Sequence, residues 1–415
     1  MIPAQNTFNS KDIRLPLLFI FSGLILFIVA QSLLLNGTNS LTIDVARIPT
    51  IWAAVHILIL GFAVMITMGA MYQLVPVAMQ VNIFSIRLGY SQYVLYVVGV
   101  LGISWGFIDF SPSRLVIFSL ITLIAIILFE INMWISIRGA KKTEIGFAIK
   151  LSLIYFFLTI LFGIWLALDF LIPHLDEWHD RFLYIHIIFG TVGWFTLIII
   201  GFSYKLIPMF TLSHGYESKL PQYTIHFINL GILLIVGQQV TRYDTFAWLG
   251  YSLILAGLLC FMLQIRIILS KRLKKNLDLG VKVALCAWPI SIVSIITVIL
   301  TSVSINQTVH ITAVVYVVLT GWISLSILGY LFKILPFLWW TYRYSEKIGK
   351  AKVLSLKEMT NEKNGKCIFI MIFLCMLANI IAMVLNMPMM FRISQIILVL
   401  TSIAYFFEMI KVLSK

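Results

Sequence analysis

Long apolar runs separated by short polar links dominate the chain. A helix crosses a hydrocarbon core of about 30 Å with about 20 residues, and runs of roughly that length recur twelve times. They cover residues 15–35, 50–79, 91–110, 114–137, 149–172, 182–210, 223–241, 246–269, 281–303, 308–337, 367–387 and 391–413. The pattern predicts an all-α polytopic membrane protein with twelve transmembrane helices. The longest link, 338–366, is rich in Lys and Glu and is predicted to be a solvated loop.

Composition supports a membrane protein and excludes a water-soluble enzyme. The chain is 61% hydrophobic and only 11% charged, whereas soluble domains carry about 25% charged residues. Its net charge of +14 would suit a nucleic-acid partner, but no polar stretch is long enough to fold into a basic domain. We therefore expect a lipid bilayer as the environment and no nucleic acid as a partner.

The distribution of basic residues predicts the orientation in the membrane. Of the 30 Lys and Arg residues, 25 fall on the side that holds both termini. The remaining five are Arg47, Arg114, Arg181, Arg242 and Arg392. Because Lys and Arg accumulate in cytoplasmic loops, we expect a multi-pass protein of the cytoplasmic membrane with both termini in the cytoplasm. The first apolar run has no small-residue cleavage site, so we expect a start-transfer helix.

One pattern recurs in the second, sixth and tenth predicted spans. Each copy has two glycines eight residues apart and a proline seven residues after the second glycine. The copies are Gly61, Gly69 and Pro76; Gly193, Gly201 and Pro208; and Gly321, Gly329 and Pro336. They are 132 and 128 residues apart, which is four spans each time. This predicts one membrane domain of three four-helix repeats, near 1–140, 141–275 and 276–415, about a pseudo-threefold axis.

Each repeat span carries a histidine near its outer end, namely His56, His186 and His310. Ionisable groups inside a membrane are costly and mark function, and imidazole binds haem iron and copper. We therefore predict that the three histidines bind haem b, with copper as a second candidate. They lie five, seven and eleven residues before the first glycine of their repeats, so His56 is rotated by about 200° from His186 on an ideal helix. Two adjacent cofactor positions, or one ligand pair plus a bystander, fit this register.

The residues that follow His186 carry a family resemblance. The motif reads His186-x-x-x-Gly190-x-x-Gly193-Trp194, then Gly201-x-x-Tyr204-x-Leu206-x-Pro208. It resembles the haem-ligand helix of the haem-copper oxidase subunit I superfamily, especially its cbb-type and nitric-oxide-reductase branches. The resemblance implies that His186 binds a haem and that His56 stands where the family keeps a low-spin haem ligand. A shorter similarity to the NnrS family of haem- and copper-containing membrane proteins is carried by His56-x-x-x-x-Gly61-Phe62 and Leu212-x-His214.

The sequence also departs from the oxidase family. The family motif stands in the tenth span rather than the sixth, and its second histidine is replaced by Ile188. Span seven ends in Gln238-Gln239 where the family has a His-His pair, and no His-Pro-Glu-Val-Tyr occurs. Those residues bind the metal partner of the haem, so we expect no complete oxygen-reducing centre. The resemblance then implies electron transfer, or binding of nitric oxide or oxygen, in an oxidoreductase-like protein served by a quinol or an electron-donor subunit.

The loop before span six concentrates two imidazoles and three carboxylates between residues 173 and 181. His174, Asp176 and His179 form a second candidate metal site, for copper or zinc; a solvated acidic loop that initiates the helix is the alternative. Two other functions also fit the chain. One is a proton-coupled twelve-span transporter that uses the histidines and Glu130, and the other is a cofactor-free accessory or assembly subunit. Such transporters usually have two six-span halves, so the four-span period favours the haem protein.

Overall fold

The computed structural model describes residues 13–172, 176–303, 310–350 and 352–415. All regular secondary structure in these ranges is helical, and twelve helices are long and apolar enough to cross a membrane. They are α1 (Arg14–Thr42), α2 (Pro49–Met79), α3 (Ile86–Ile108), α4 (Pro112–Ile137), α5 (Glu144–Leu171), α6 (Trp178–Thr211), α7 (Leu220–Thr241), α8 (Asp244–Ser270), α9 (Leu279–Leu300), α10 (Ile311–Lys347), α11 (Glu362–Val384) and α12 (Pro388–Leu413). The predicted all-α architecture and the number of apolar helices are confirmed.

Prolines explain several helix boundaries. Proline stands in the first turn of α2, α4, α7 and α12, where its missing N–H group is tolerated and its φ suits a helix. Pro76 and Pro208 lie three residues before the last residues of α2 and α6. The residues that follow these helices, Gln80 and Leu212, have left-handed φ values of 55° and 54°. Both helices therefore end where the repeated prolines predict.

The linker between α10 and α11 is shorter than the apolar pattern predicts. Helix α10 continues to Lys347 and α11 begins at Glu362, so both ends of the predicted 338–366 loop are helical. The indole Nε1 of Trp340 in α10 donates to the carbonyl of Leu354 in the linker at 2.6 Å. The linker is therefore tied back onto the helix that precedes it.

Helices that follow one another in the chain pack side by side, and the series closes into a ring. Each helix contacts the next one, and α12 returns to pack against α1. Helices α2, α6 and α10 also contact one another. Their most apolar segments are 67, 61 and 72% buried, against 50% or less in each of the other nine. The helices that carry the repeated glycine and proline pattern therefore form the centre of the bundle.

Each central helix changes to π-helical geometry for eight residues. The segments are Ile57–Val64 in α2, Phe189–Thr196 in α6 and Val317–Ser324 in α10, and each encloses the first glycine of its repeat. A buried hydrogen bond joins two of them, from Trp322 Nε1 to Thr196 Oγ1 at 2.9 Å. π-Helical turns are rare and often occur at functional sites. Two of the candidate ligands, His56 and His186, lie within three residues of the start of such a segment.

Candidate functional site

His56 and His186 lie in neighbouring central helices, at the end of the bundle opposite both termini. The Nδ1 atom of His56 is 2.8 Å from the carbonyl oxygen of Trp52, one turn earlier in α2. The Nδ1 atom of His186 is 2.9 Å from the carbonyl oxygen of Thr159 in α5. A carbonyl oxygen only accepts hydrogen bonds, so Nδ1 must carry the proton in both rings. In each neutral imidazole, Nε2 then has a free lone pair, which is the form that binds metals.

The two imidazole rings lie at a separation that suits one metal ion between them. Their centres are 6.5 Å apart and their planes are inclined by 23°. Two metal–nitrogen bonds of about 2 Å each, plus the distances from each nitrogen to its ring centre, give about 6 Å between ring centres. The observed separation is therefore close to that of two histidines that bind one metal ion.

Neighbouring side chains hold the two rings from the sides. The ring of Phe107 in α3 lies 4.5 Å from that of His56, centre to centre. On the other side, Gly163 in α5 leaves room for His186, because an added Cβ there would lie 3.0 Å from its Cε1 atom. Trp52 packs on Phe107 and on Phe170, with ring centres 5.9 and 5.7 Å apart. The pair therefore sits in a largely aromatic and apolar setting, which lowers the dielectric constant around a bound group.

The packing of α2 against α6 brings these two histidines together, although an ideal helical wheel aligned on the glycines separates them by about 200°. The π-helical segments begin four residues before the first glycine in both helices, so they turn the two histidines alike and leave this difference unchanged. The helical wheel takes no account of how α2 and α6 are turned relative to one another in the bundle.

His310 is not joined to this pair. It immediately precedes α10, and its carbonyl accepts the amide of Val314 at 3.2 Å. Within the described residues, no ring contact or hydrogen bond connects its side chain to His56 or His186. The residue of α10 that corresponds to His56 by the 132- and 128-residue spacings is Tyr316, whose hydroxyl accepts a hydrogen bond from Asn379 at 2.8 Å. The structure therefore brings together two of the three predicted ligands.

The second candidate metal site is only partly covered by the structure. His174 and the side chain of Asp176 lie outside the described residues. The Nδ1 atom of His179 is 2.6 Å from Oδ2 of Asp169 at the end of α5, and Asp180 pairs with Arg47 at 2.8 Å. No group of three His, Cys, Asp or Glu side chains that could hold a metal occurs among the described residues.

Glu130 lies apart from the histidines, in the half of α4 nearer the termini. Its Oε2 atom accepts the indole N–H of Trp134 at 2.9 Å, and its Oε1 atom is buried with no partner among the described residues. Asn132, two residues later, bonds to the backbone of Ser85, the residue before α3, and donates to Tyr72 Oη of α2 at 3.3 Å. Asn132 therefore joins the start of α3 to α2, and among the described residues no hydrogen bond joins it to Glu130.

Sequence reasoning missed the residues that orient the pair. Trp52 and Thr159 act through backbone carbonyls, which any residue could supply, so their identities carry no signal. Gly163 and Phe107 come from α5 and α3, and only the packing of four helices brings them to the histidines. No protein-family model and no curated protein matches this chain.

Proposed function

We propose that the protein binds haem b, which His56 and His186 would hold, and acts in electron transfer in the cytoplasmic membrane. The observation that carries this proposal is the ring pair itself, 6.5 Å apart with planes inclined by 23°. Both imidazoles present the donor that haem iron accepts, because their Nδ1 atoms are committed to carbonyl oxygens. The residues present therefore fit the group that the family resemblance implies.

The number of protein ligands favours electron transfer over gas binding. Haem b would supply a one-electron redox centre, and an iron with one histidine would leave a sixth position open for nitric oxide or oxygen. Here two histidines lie close enough to hold one iron together. His56 and His186 would hold it, while the carbonyls of Trp52 and Thr159 fix the ring orientations and Phe107 restricts water. A quinol or an electron-donor subunit would supply the electron.

We further propose that the fold consists of three four-helix units about a pseudo-threefold axis, as in the haem-copper oxidase subunit that the sequence resembles. The equal offsets of the three π-helical segments from the repeated glycines support this arrangement. So do two hydrogen bonds of matching register. Tyr72 Oη donates to Gln92 Oε1 at 2.9 Å, and Tyr204 Oη donates to Thr224 Oγ1 at 3.0 Å. Donors and acceptors are both 132 residues apart.

The absorption spectrum of the purified protein tests the haem proposal. The protein, expressed with ample haem and solubilised in detergent, should show a Soret band and the reduced spectrum of a six-coordinate b-type haem. His56→Gly and His186→Gly should each lose or alter this spectrum, and added imidazole should restore it by replacing the missing ligand. His310→Gly is the matched control and should keep the wild-type spectrum.

Two results would contradict the proposal. The absence of a Soret band in the wild-type protein would exclude a haem site and leave the transporter or accessory subunit as the explanation. Unchanged spectra in both the His56 and His186 variants would show that other residues bind the iron. Loss of the band in the His310→Gly control alone would assign the ligand role to α10 and likewise overturn the pairing.

A further inference from the structure

A groove opens on the outside of the bundle where α8 packs against α9. Its volume is about 330 Å³, which is within the usual range for ligand sites. Met262 and Leu269 of α8 form one wall, and Leu285 and Trp288 of α9 form the other. Trp288 is only 1% exposed, and its ring packs edge-on against Phe261 at 4.9 Å, which gives the groove a rigid floor.

The same side of α8 faces the surrounding lipid. Leu259 and Leu263, which lie in the turns next to Met262, are 46% and 50% exposed. Exposed leucines at this depth of a membrane helix contact acyl chains. A lipid tail can therefore enter the groove sideways from the bilayer without a gate.

The groove is apolar inside the membrane and cationic at its end nearer the termini. Arg266 and Arg272 line that end. Arg266 lies four residues before Ser270, where α8 ends, which corresponds to a depth of about 6 Å. Met262 and Trp288 lie about 12 and 14 Å below the ends of their helices by the same rise per residue. This order of charge and apolar surface matches a phospholipid, whose phosphate sits above its acyl chains.

The two arginines keep their charge available for a ligand. Within the described residues, neither forms an ion pair with a carboxylate. The acidic residue that follows in the chain, Asp278, is already engaged by Lys274 at 2.5 Å and Lys333 at 2.6 Å. Arg272 donates from Nη1 to the carbonyl of Leu269 at 2.7 Å, which holds its guanidinium at the mouth of the groove.

We propose that this groove binds an anionic phospholipid, with its phosphate at Arg266 and Arg272 and part of one acyl chain between α8 and α9. Guanidinium groups bind phosphate oxygens in pairs, and basic pockets between membrane helices on the cytoplasmic side are typical sites for anionic headgroups. A zwitterionic lipid gains less, because its own ammonium group offsets the attraction. This site is independent of the haem proposal and lies at the opposite end of the bundle.

Native mass spectrometry of the delipidated full-length protein tests this site. In a titration with phosphatidylglycerol, the double variant Arg266→Ala/Arg272→Ala should bind about 10- to 30-fold more weakly than the wild type. The loss of each basic group is expected to weaken binding by roughly tenfold or less. Phosphatidylcholine with the same chains should bind the wild type weakly. Arg138→Ala removes an exposed basic residue outside the groove and should leave phosphatidylglycerol binding unchanged.

A second variant separates the headgroup from the acyl chain. Leu285→Trp fills the groove and should weaken phosphatidylglycerol binding while both arginines remain. Inorganic phosphate should not displace the lipid at millimolar concentration, because it lacks the chain. The proposal is overturned if the double arginine variant binds phosphatidylglycerol like the wild type, if phosphatidylcholine or a quinone binds as tightly, or if inorganic phosphate alone displaces the lipid.

Discussion

The centres of the imidazole rings of His56 and His186 are 6.5 Å apart, although the residues are 130 positions apart in the chain. Each ring is oriented by a backbone carbonyl, one from its own helix and one from α5. Because backbone carbonyls cannot be removed by substitution, the orientation of the pair tolerates many changes in side chains around it. The positions most sensitive to substitution are therefore those that give the rings their space.

Gly163 is the first such position. Replacement by Ala places a methyl group 3.0 Å from Cε1 and 3.4 Å from Nδ1 of His186, so the ring must shift and its hydrogen bond to Thr159 must lengthen. We expect Gly163→Ala to lower haem affinity by about 10-fold. This is the lower end of the losses in affinity that follow when a group that orients a metal ligand is mutated. The haem-to-protein ratio after purification measures the effect. Gly139→Ala is the control, because an added Cβ at Gly139 meets nothing within 4 Å.

Asn379 of α11 belongs to a buried hydrogen-bond network at the place where the ring of helices closes. It is fully buried, and its amide group donates to Tyr316 Oη and to Gln395 Oε1, both at 2.8 Å. Gln395 in turn donates to Gln31 of α1 at 2.9 Å. We expect Asn379→Leu to lower the free energy of unfolding by about 1–3 kcal/mol, because it leaves buried acceptors without a donor.

Thermal unfolding in detergent measures this change. Thr297→Val is the matched control, because Thr297 is not buried and its hydroxyl, within the part of the chain that the structure describes, bonds to Val293 of its own helix. Equal unfolding temperatures for Asn379→Leu and the control would show that this network does not hold α11 and α12 against α1.

The carboxylate of Asp278, at the end of the bundle that holds the termini, should make the free energy of unfolding depend on pH. Burial alone would raise its pKa, but hydrogen bonds and charges from Lys274 and Lys333 outweigh burial, so the pKa lies below its ordinary value. A lowered folded-state pKa stabilises the fold above the unfolded value of about 4, and the contribution is lost as the pH falls through the folded value. Asp278→Asn should therefore cost about 1–3 kcal/mol at pH 7, and the difference from the wild type should shrink below about pH 4.

The control for Asp278→Asn is Asp180→Asn. The Arg47–Asp180 pair has side chains that are 64% and 71% exposed, and exposed pairs contribute less than about 1 kcal/mol. Chemical denaturation at pH 7 and pH 3.5 compares the two variants. An Asp278→Asn variant as stable as Asp180→Asn at pH 7 would show that Lys333 finds another partner.

The distribution of basic residues predicts the orientation, which reporter fusions test. A fluorescent protein fused after Lys415 should fluoresce, and alkaline phosphatase at that position should be inactive, because the positive-inside rule puts this end in the cytoplasm. Alkaline phosphatase inserted after Phe110, between α3 and α4, should be active. The opposite pattern would show that the 25 basic residues on one side do not set the topology.

The helices themselves could be predicted because each apolar run has to satisfy its own backbone in lipid. The twelve runs therefore match the twelve helices in number and order, with shifts of a few residues at most ends. The C-terminal ends of α1 and α10 differ more, by seven and ten residues. Beyond α10, the solvated linker is positioned by individual contacts such as Trp340 to Leu354. Hydropathy contains no information about such contacts.

The sequence by itself determined the twelve helices, the repeated glycine and proline pattern, and the three candidate ligands His56, His186 and His310, since apolar length, spacing and rare ionisable residues are properties of the chain. Only the tertiary structure decided that these two histidines pair while His310 stays apart. The physical reason is that the relative direction of two side chains depends on how one packed helix is rotated against another. This rotation is set by contacts between residues more than a hundred positions apart.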